Sequence, residues 1–367
     1  MNFVRFLMVL ALVGTACGSS APATGSIGGG TDVGSARTYA LGEFPEFPDE
    51  DFSGSIVDAL QAALESAVED GTFTGVNAAV IVADQGSWAG AAGTADGTPL
   101  TPDSPNPTHS SGKTVVAAEI LRLAEDGMLD LDDRASKYLP PELSFFDANG
   151  ATVRQVLGMR SGIPGLNEFG PEGGYPAEQA PTAVKVFRKL PDPAVAPGGE
   201  PDYASTNYVL LGTIIEHVTG RPLAEALRAG VLANPALDGF VYTVEGALAS
   251  DGYGVRATPS SLARWGYELY GGFVLSDASL RAMTDFQGEW YGLGVMDLSG
   301  EYATQAVGHE GSSSAAQCCS LIRLVALPEE GVVISVQAQT APTDSPYDFY
   351  NRDLVRLTQV LRDTALG

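Results

Sequence analysis

The chain has 367 residues, of which 44% are hydrophobic and 18% are charged. It is long enough to bury a core, and this composition excludes a disordered, collagen-like or coiled-coil protein. Aspartate and glutamate total 45 against 20 lysines and arginines, a formal net charge of −25, so phosphate backbones would repel the chain and nucleic acid is excluded as a partner. Its 3 histidines form no HxH or HExxH pair, and nothing in the sequence implies a metal or another cofactor.

Residues 1–16 have the pattern of an export signal. Arg5 provides a positive start, and the apolar run after it is too short to span a bilayer. Small residues then precede Cys17, which resembles the lipobox of bacterial lipoproteins, although Gly14 stands where that motif usually has leucine. We expect export to the cell envelope, with a lipid anchor on Cys17 as the only contact with the membrane. The alternative is an ordinary cleaved signal in which this cysteine has no role.

A flexible tether is predicted for residues 17–52, since residues 18–42 are mainly Gly, Ser, Ala and Thr and offer little apolar surface to bury, and an acidic stretch at 43–52 leads into the first element. The folded domain is predicted for residues 53–363. It begins with an apolar residue at every fourth position from Ile56 to Val68, which indicates an amphipathic helix that ends near Gly71.

Two strands and further helices follow along the chain. Residues 76–83 form a β-type run, and a turn leads to a second strand at 88–92. Residues 114–123 predict a strongly apolar helix. Beyond it, proline and glycine interrupt a series of predicted helices, which span residues 152–159, 181–190, 207–218 and 223–229.

The C-terminal part predicts a hairpin and a last helix. Residues 317–326 and 332–338 are β-type runs on either side of a Pro-Glu-Glu-Gly turn, and a helical pattern of leucines closes the chain. Strands near both ends with helices between them predict an α+β fold, in which one sheet is built from both ends. A mostly helical insertion, at about residues 105–255, would interrupt that sheet.

Ser110 and Lys113 are the first candidates for catalysis. They are three positions apart at the start of a predicted helix, so the ammonium group can reach the hydroxyl. A helix start also offers unpaired N–H groups and a positive dipole end, which suits an activated nucleophile. The alternatives are that Ser110 caps the helix and that Lys113 is a solvated surface charge.

Two further segments extend this pattern. Tyr203 lies just before a predicted helix, and His309 lies between glycines ahead of the C-terminal hairpin. The Ser-x-x-Lys pair followed by these two segments resembles the serine β-lactamase and penicillin-binding-protein family. The likeness is closest to its branch of class C β-lactamases, D,D-peptidases and family VIII esterases. The resemblance covers roughly residues 53–363 and includes, in the order of that branch, the segments 127–133, 138–140, 160–164, 211–216 and 291–294.

The resemblance implies a fold and a role for each residue. The fold would be β-lactamase/transpeptidase-like, with an antiparallel sheet flanked by the terminal helices and a helical inserted subdomain. Ser110 would be the nucleophile that is acylated, and Lys113 its activating partner. Tyr203 would share the proton transfer with the lysine.

The remaining motif residues would bind the substrate. His309 matches the basic residue of the third motif. Ser312, just past Gly311, would add its backbone N–H to that of the nucleophile in an oxyanion hole. Ser205 stands where the second motif usually has asparagine, and Glu310 replaces a small hydroxyl residue. One hydroxyl and a mostly neutral histidine hold a substrate amide or carboxylate less firmly, so we do not expect efficient cephalosporin hydrolysis.

We therefore predict an exported serine hydrolase that acts through an acyl-enzyme on amides or esters. A β-lactam, a D-Ala-D-Ala peptide and a small ester all stay open as substrates. The alternative is a non-catalytic cell-surface protein that binds or senses penicillin or peptidoglycan, which Ser205 and Glu310 make conceivable. In that case Tyr203 would be a plain buried aromatic residue and His309 a structural histidine. We expect packing roles for His109 and a structural or surface role for His217.

Overall fold

The computed structural model describes residues 40–165, 182–244, 246–252, 254–313, 319–340 and 346–367. The export signal, Cys17 and the first part of the tether lie outside these residues, so the expectations for them stay predictions. Residues 40–52, the end of the predicted tether, instead pack on the folded domain: Phe44 and Phe52 are buried, and the Gly42 N–H donates to the Tyr270 carbonyl oxygen at 2.8 Å. In the ranges that are described, no helix combines the length and the apolar character needed to cross a bilayer.

Four of the ten strands in the described residues match the four predicted β-type runs, and the other six, most of them short, have no counterpart among those runs. The first of them is buried at every position, because both faces of its sheet are covered, and this explains why its sequence is apolar apart from Asn77. The strands are β1 Gly75–Val82, β2 Gly86–Ala95, β3 Thr98–Pro99, β4 Asn106–Pro107, β5 Val241–Tyr242, β6 Val255–Ala257, β7 Met296–Asp297, β8 Val307–Ser313, β9 Cys319–Leu327 and β10 Val332–Thr340.

One sheet joins the two ends of the domain. Seven of these strands form it, in the order β3-β2-β1-β10-β9-β8-β7. Strands β1 and β10 are antiparallel neighbours, with Val80 opposite Ile334, and β8, β9 and β10 are antiparallel as well. The predicted α+β class, with a sheet built from both ends of the domain, is confirmed.

The helices of the described residues are α1 Ser55–Glu69, α2 Lys113–Glu125, α3 Val153–Leu157, α4 Ala183–Phe187, α5 Thr206–Thr219, α6 Leu223–Ala229, α7 Pro259–Tyr270, α8 Asp277–Met283 and α9 Pro346–Leu366. Helices α1 and α9 cover one face of the sheet, where Leu60 and Leu361 share an apolar cluster with Val80. Helix α7 covers the other face, where Trp265 shares a cluster with Ile81. The terminal helices therefore flank the sheet, as expected.

Helices α7 and α8 were not among the predicted elements. The signals for α7 are present in the sequence: the Thr258 hydroxyl accepts a hydrogen bond from the Ser261 N–H, and Pro259 occupies the first turn. Leu262, Trp265 and neighbouring residues are buried against the sheet. Helix α7 therefore packs on the sheet, and in the chain it directly follows the short strand β6.

Three buried amide side chains attach the segment before Ser110 to the sheet. The Asn106 Nδ2 donates to Asn77 Oδ1 at 2.9 Å and to Gln337 Oε1 at 3.2 Å. Asn77 lies on β1 and Gln337 on β10, whereas Asn106 lies on the short strand β4. Because a buried amide without partners is costly, this network fixes where the chain enters the turn that contains Ser110.

Candidate active site

Ser110 lies in a 3-10 turn, His109–Gly112, that leads directly into α2. His109 has a positive φ of 43°, a conformation that is strained in a residue with a side chain. Gly252 packs against this turn so closely that a Cβ there would collide with the His109 carbonyl oxygen. Close backbone packing therefore holds the strained turn in place and fixes the position of Ser110.

Lys113 is the first residue of α2, and its side chain is 0% exposed. Its Nζ lies 2.9 Å from the Ser110 Oγ, as the spacing of three residues predicts. The same Nζ lies 5.3 Å from the ring centroid of Tyr203 and 5.7 Å from that of Tyr208, within cation–π range. Lys113 is therefore not a solvated surface charge, and the residue that precedes α2 as its cap is Gly112 rather than Ser110.

Tyr203 is held in an extended segment just before α5. The N–H of Asp202 donates to the Met159 carbonyl oxygen at 2.7 Å, which ties this segment to the end of α3. The Tyr203 hydroxyl is buried and has no hydrogen-bond partner among the residues that the structure describes. A buried hydroxyl costs free energy unless it is bonded, so this group, beside Lys113, is available to an incoming molecule.

His309 lies on β8 and is fully buried. Its Nδ1 is 2.6 Å from the carbonyl oxygen of Glu310, which can only accept, so Nδ1 carries the proton. Burial and, after it, the charge of Lys113 lower the pKa of His309 to about 3. The ring is therefore neutral and its Nε2 is an acceptor, to which the Tyr291 hydroxyl donates at 3.2 Å.

Strand β8 runs directly beside the turn that carries the serine. The Ser111 hydroxyl donates to the His309 carbonyl oxygen at 3.1 Å. A Cβ on Gly311 would lie 2.6 Å from the Ser110 backbone nitrogen, which is closer than real contacts allow, so this approach requires glycine. Ser312 follows in the strand and is half-buried. The backbone of β8 and the N–H of Ser110 therefore face the same small space.

Ser205 and Glu310 are the two residues that depart from the family's motifs, and they lie in different parts of the structure: Ser205 just before α5 and Glu310 on β8. Ser205 precedes α5, and its hydroxyl makes no capping hydrogen bond with that helix. Glu310 lies on the opposite face of β8 from His309, as strand alternation predicts, and its carboxylate pairs with the buried Arg323 at 2.8 Å. Glu310 therefore contributes its backbone, and not its charge, to the region around His309.

The contacts bring four predicted residues close together. Lys113 touches both Ser110 and Tyr203, and the rings of Tyr203 and His309 lie 6.3 Å apart between centroids. His217 is exposed, in line with a surface role. Within the described part of the chain, no group of three or more His, Cys, Asp or Glu residues could hold a metal ion.

Two aromatic residues of the site were missed as candidates from the sequence. Tyr291 orients His309 through the hydrogen bond described above, and burial raises the pKa of its hydroxyl well above the usual value, so it stays protonated. Trp290 precedes it, with the two ring centroids 5.2 Å apart. The adjacent pair of aromatic residues ahead of Gly292 and Gly294 was the available signal, but it marks a hairpin as readily as a site.

The neutral state of His309 predicts how stability depends on pH. A histidine in the unfolded chain takes up a proton near pH 6.5, whereas His309 in the folded protein does so near pH 3. Between these values the unfolded state binds more protons, so the free energy of unfolding decreases as the pH falls. For this residue, the decrease from pH 7 to pH 5 is about 2 kcal/mol, measurable by urea unfolding at the two values.

A comparison of two glutamine variants isolates this effect. His309→Gln should show a smaller loss of stability between pH 7 and pH 5 than the wild type, whereas His217→Gln, at an exposed position, should keep the full loss. Equal pH dependence in wild type and His309→Gln would contradict the assignment of a neutral, buried imidazole.

Known proteins resemble this chain in sequence and in fold. A family model described as Beta-lactamase matches residues 60–357. Protein flp of Staphylococcus aureus (strain NCTC 8325 / PS 47) is 32% identical over 121 residues, which are 30% of this chain and 22% of that protein. Penicillin-binding protein 4* of Bacillus subtilis (strain 168) is 24% identical over 209 residues, 51% of this chain and 44% of that protein. The chain thus matches less than half the length of either relative.

Solved structures share the fold over most of the chain. The D-amino acid amidase from Ochrobactrum anthropi SV3, complexed with L-phenylalanine, aligns with a TM-score of 0.68 and 20% identity, covering 85% of this chain and 100% of the amidase. A D-stereospecific amidohydrolase from Streptomyces sp. aligns with a TM-score of 0.63 and 24% identity, covering 84% and 97%. Together, the match of the family model across most of the chain and the shared fold confirm the resemblance: the chain belongs to the β-lactamase family.

Proposed function

We propose that this chain hydrolyses small amides and esters through an acyl-enzyme on Ser110. The observation that carries the proposal is the fully buried Lys113, whose Nζ lies 2.9 Å from the Ser110 Oγ. A serine hydroxyl is a weak nucleophile until a neighbouring group takes its proton. The proposal includes export and a lipid anchor at Cys17, which rest on the sequence alone.

The proton moves between three side chains during acylation. The Ser110 Oγ attacks the substrate carbonyl carbon while its proton passes to Lys113 in the amine form, or to Tyr203 in the phenolate form, and the pair acts as one unit. The backbone N–H groups of Ser110 and Ser312 hold the oxyanion that forms. When the carbon–leaving-group bond breaks, Tyr203 returns the proton to the leaving group, and water later releases the acyl group by the same route.

The electrostatics of His309 favour substrates without a carboxylate next to the scissile bond. The imidazole is neutral, and its Nε2 already accepts from Tyr291, so strand β8 offers no positive side chain at the position of the family's basic residue. A carboxylate, as in β-lactams and D-Ala-D-Ala peptides, would lose that partner. The names of two structural neighbours, a D-amino acid amidase and a D-stereospecific amidohydrolase, fit the same preference for amides.

Labelling and a substrate comparison test this proposal. A fluorophosphonate probe should add one adduct to the wild-type protein, which peptide mass spectrometry should locate on Ser110. The kcat/KM values for D-phenylalanine amide and p-nitrophenyl acetate should exceed those for a D-Ala-D-Ala peptide and nitrocefin by about tenfold or more, the value of one lost charge-assisted hydrogen bond.

Two outcomes would contradict the proposal in different ways. Faster turnover of the carboxylate-bearing substrates would overturn the preference for amides and esters without a carboxylate but keep the acyl-enzyme. The absence of any adduct on Ser110, with no turnover of the four substrates, would favour the non-catalytic binding protein.

A further inference from the structure

A short hairpin fixes Trp290 and Tyr291 at the end of the sheet. The N–H of Asp297 donates to the Trp290 carbonyl oxygen at 2.9 Å, and Tyr291 forms a bridge with Met296. Met296 in turn pairs with Gly308 on β8, the residue before His309. Both aromatic residues are therefore held in a defined position relative to the strand that borders the active site.

The two rings differ sharply in exposure. Tyr291 is 1% exposed, whereas Trp290 is 43% exposed, although they are neighbours in the sequence. The Trp290 ring centroid lies 6.2 Å from that of Tyr203, with an angle of 31° between the rings, and 5.2 Å from that of Tyr291. A large apolar surface therefore remains open directly beside the tyrosine whose hydroxyl has no partner in the described residues.

The position beside Tyr203 decides which part of a substrate would reach Trp290. In the proposed mechanism, Tyr203 gives its proton to the leaving group, so the leaving group must lie against this tyrosine when the bond breaks. A ring that packs next to Tyr203 and stays open to solvent then borders the leaving group. Contact with another aromatic ring would cover the exposed indole and contribute about 0.5–1.5 kcal/mol beyond the area that it buries.

We propose that Trp290, with Tyr203, forms the wall of a leaving-group subsite that selects aromatic or bulky apolar leaving groups, such as those of aryl esters and arylamides. This inference rests on the proposed function, because it needs a leaving group that departs past Tyr203. It adds a residue that determines specificity and a class of substrate: uncharged esters and amides in which the apolar group is on the alcohol or amine side.

The test uses two esters that give the same acyl-enzyme. 2-Naphthyl acetate and ethyl acetate both leave an acetyl group on Ser110, so they differ only in the leaving group. In the variant Trp290→Ala, the ratio of kcat/KM for the naphthyl ester to kcat/KM for the ethyl ester should fall about five-fold relative to wild type. Trp290→Phe keeps an aromatic ring and should retain most of that ratio.

A matched control distinguishes a contact between Trp290 and the leaving group from a general effect of removing an exposed aromatic ring. Phe273 is 48% exposed and stacks on Tyr267, with the ring centroids 6.3 Å apart. Phe273→Ala should leave the naphthyl-to-ethyl ratio unchanged. Deacylation can be followed by the decay of the acetylated mass after rapid mixing. Within each protein, wild type or Trp290→Ala, the deacylation rate should be the same for both esters, because both form the same acetyl-enzyme.

Three results would overturn the inference. An unchanged ratio in Trp290→Ala would show that the indole does not contact the leaving group. A second comparison uses ethyl phenylacetate and ethyl acetate, which share ethanol as the leaving group and differ in the acyl group. If Trp290→Ala changed the ratio of their kcat/KM values instead, Trp290 would lie on the acyl side. The absence of an acetyl-enzyme in the wild-type protein would overturn the proposed function, and this inference with it, so the two failures are distinguishable.

Discussion

Replacing Ser110 with alanine is expected to lower kcat by about four orders of magnitude or more on every substrate that the wild type hydrolyses. The variant lacks the Oγ that lies 2.9 Å from Lys113 Nζ, so no acyl-enzyme can form and only substrate binding and oxyanion stabilisation are left. The turn and its glycine contacts are backbone features, so the fold should be retained. Hydrolysis of p-nitrophenyl acetate and the mass of the protein after exposure to a fluorophosphonate measure both effects.

Ser111 provides the control, since it is the next residue in the same turn. Its hydroxyl donates to the His309 carbonyl oxygen and not to Lys113, so Ser111→Ala removes a structural bond while the nucleophile stays. The fluorophosphonate adduct should survive in Ser111→Ala and disappear in Ser110→Ala. An adduct that persists in Ser110→Ala would show that another side chain is the nucleophile.

The fold could be predicted where the local pattern determines the structure. The spacing of leucines in α1 and α9 and the apolar runs of β1 and β10 identify these elements, because their sequences match the period of the element and the face that it buries. Helix α7, which is buried against the sheet through Trp265 and its neighbours, was missed. Its local signals are the Thr258 cap, Pro259 in the first turn and the apolar spacing. Which strands pair, β1 with β10 for example, depends on contacts distant in sequence, so the order of elements predicts one sheet from both ends but not the order of its strands.

The site could be predicted only in part, for a different reason. Local spacing predicts the contact between Ser110 and Lys113, because residues three apart share a helix face. The neutral tautomer of His309 depends on Tyr291 and on the Glu310 carbonyl group, and the wall beside Tyr203 depends on the hairpin that holds Trp290. These relations are set by tertiary packing, and no spacing in the sequence encodes them.

The site concentrates groups that a protein interior normally avoids. Lys113 is fully buried, His309 is buried and kept neutral, and the Tyr203 hydroxyl has no partner in the described residues. Each of these arrangements costs folding free energy. Such costs are expected where side chains are positioned for a reaction rather than for stability. Removing the amine of Lys113 should therefore weaken catalysis with little effect on the fold.

Lys113→Met tests this relation directly. Methionine has a similar length and no amine, so the variant loses one of the two groups that move the Ser110 proton, and acylation should slow about a thousandfold. Methionine carries no charge that must be desolvated, which offsets the loss of the hydrogen bond to Ser110, so the melting temperature should change little. The pKa of His309 should rise, because the charge of Lys113 is, after burial, a cause of its low value. Stopped-flow acylation, thermal unfolding and NMR titration of the imidazole measure the three effects.

Lys137→Met is the matched control for this variant. Lys137 is 60% exposed on its side chain and pairs with Asp133 at the surface, so its replacement should change neither the acylation rate nor the pKa of His309. If Lys113→Met acylated at a rate within tenfold of the wild type, Ser110 would have to be activated by another group. If it lost acylation and also unfolded at a clearly lower temperature, Lys113 would stabilise the fold, and its burial would not be explained by the reaction alone.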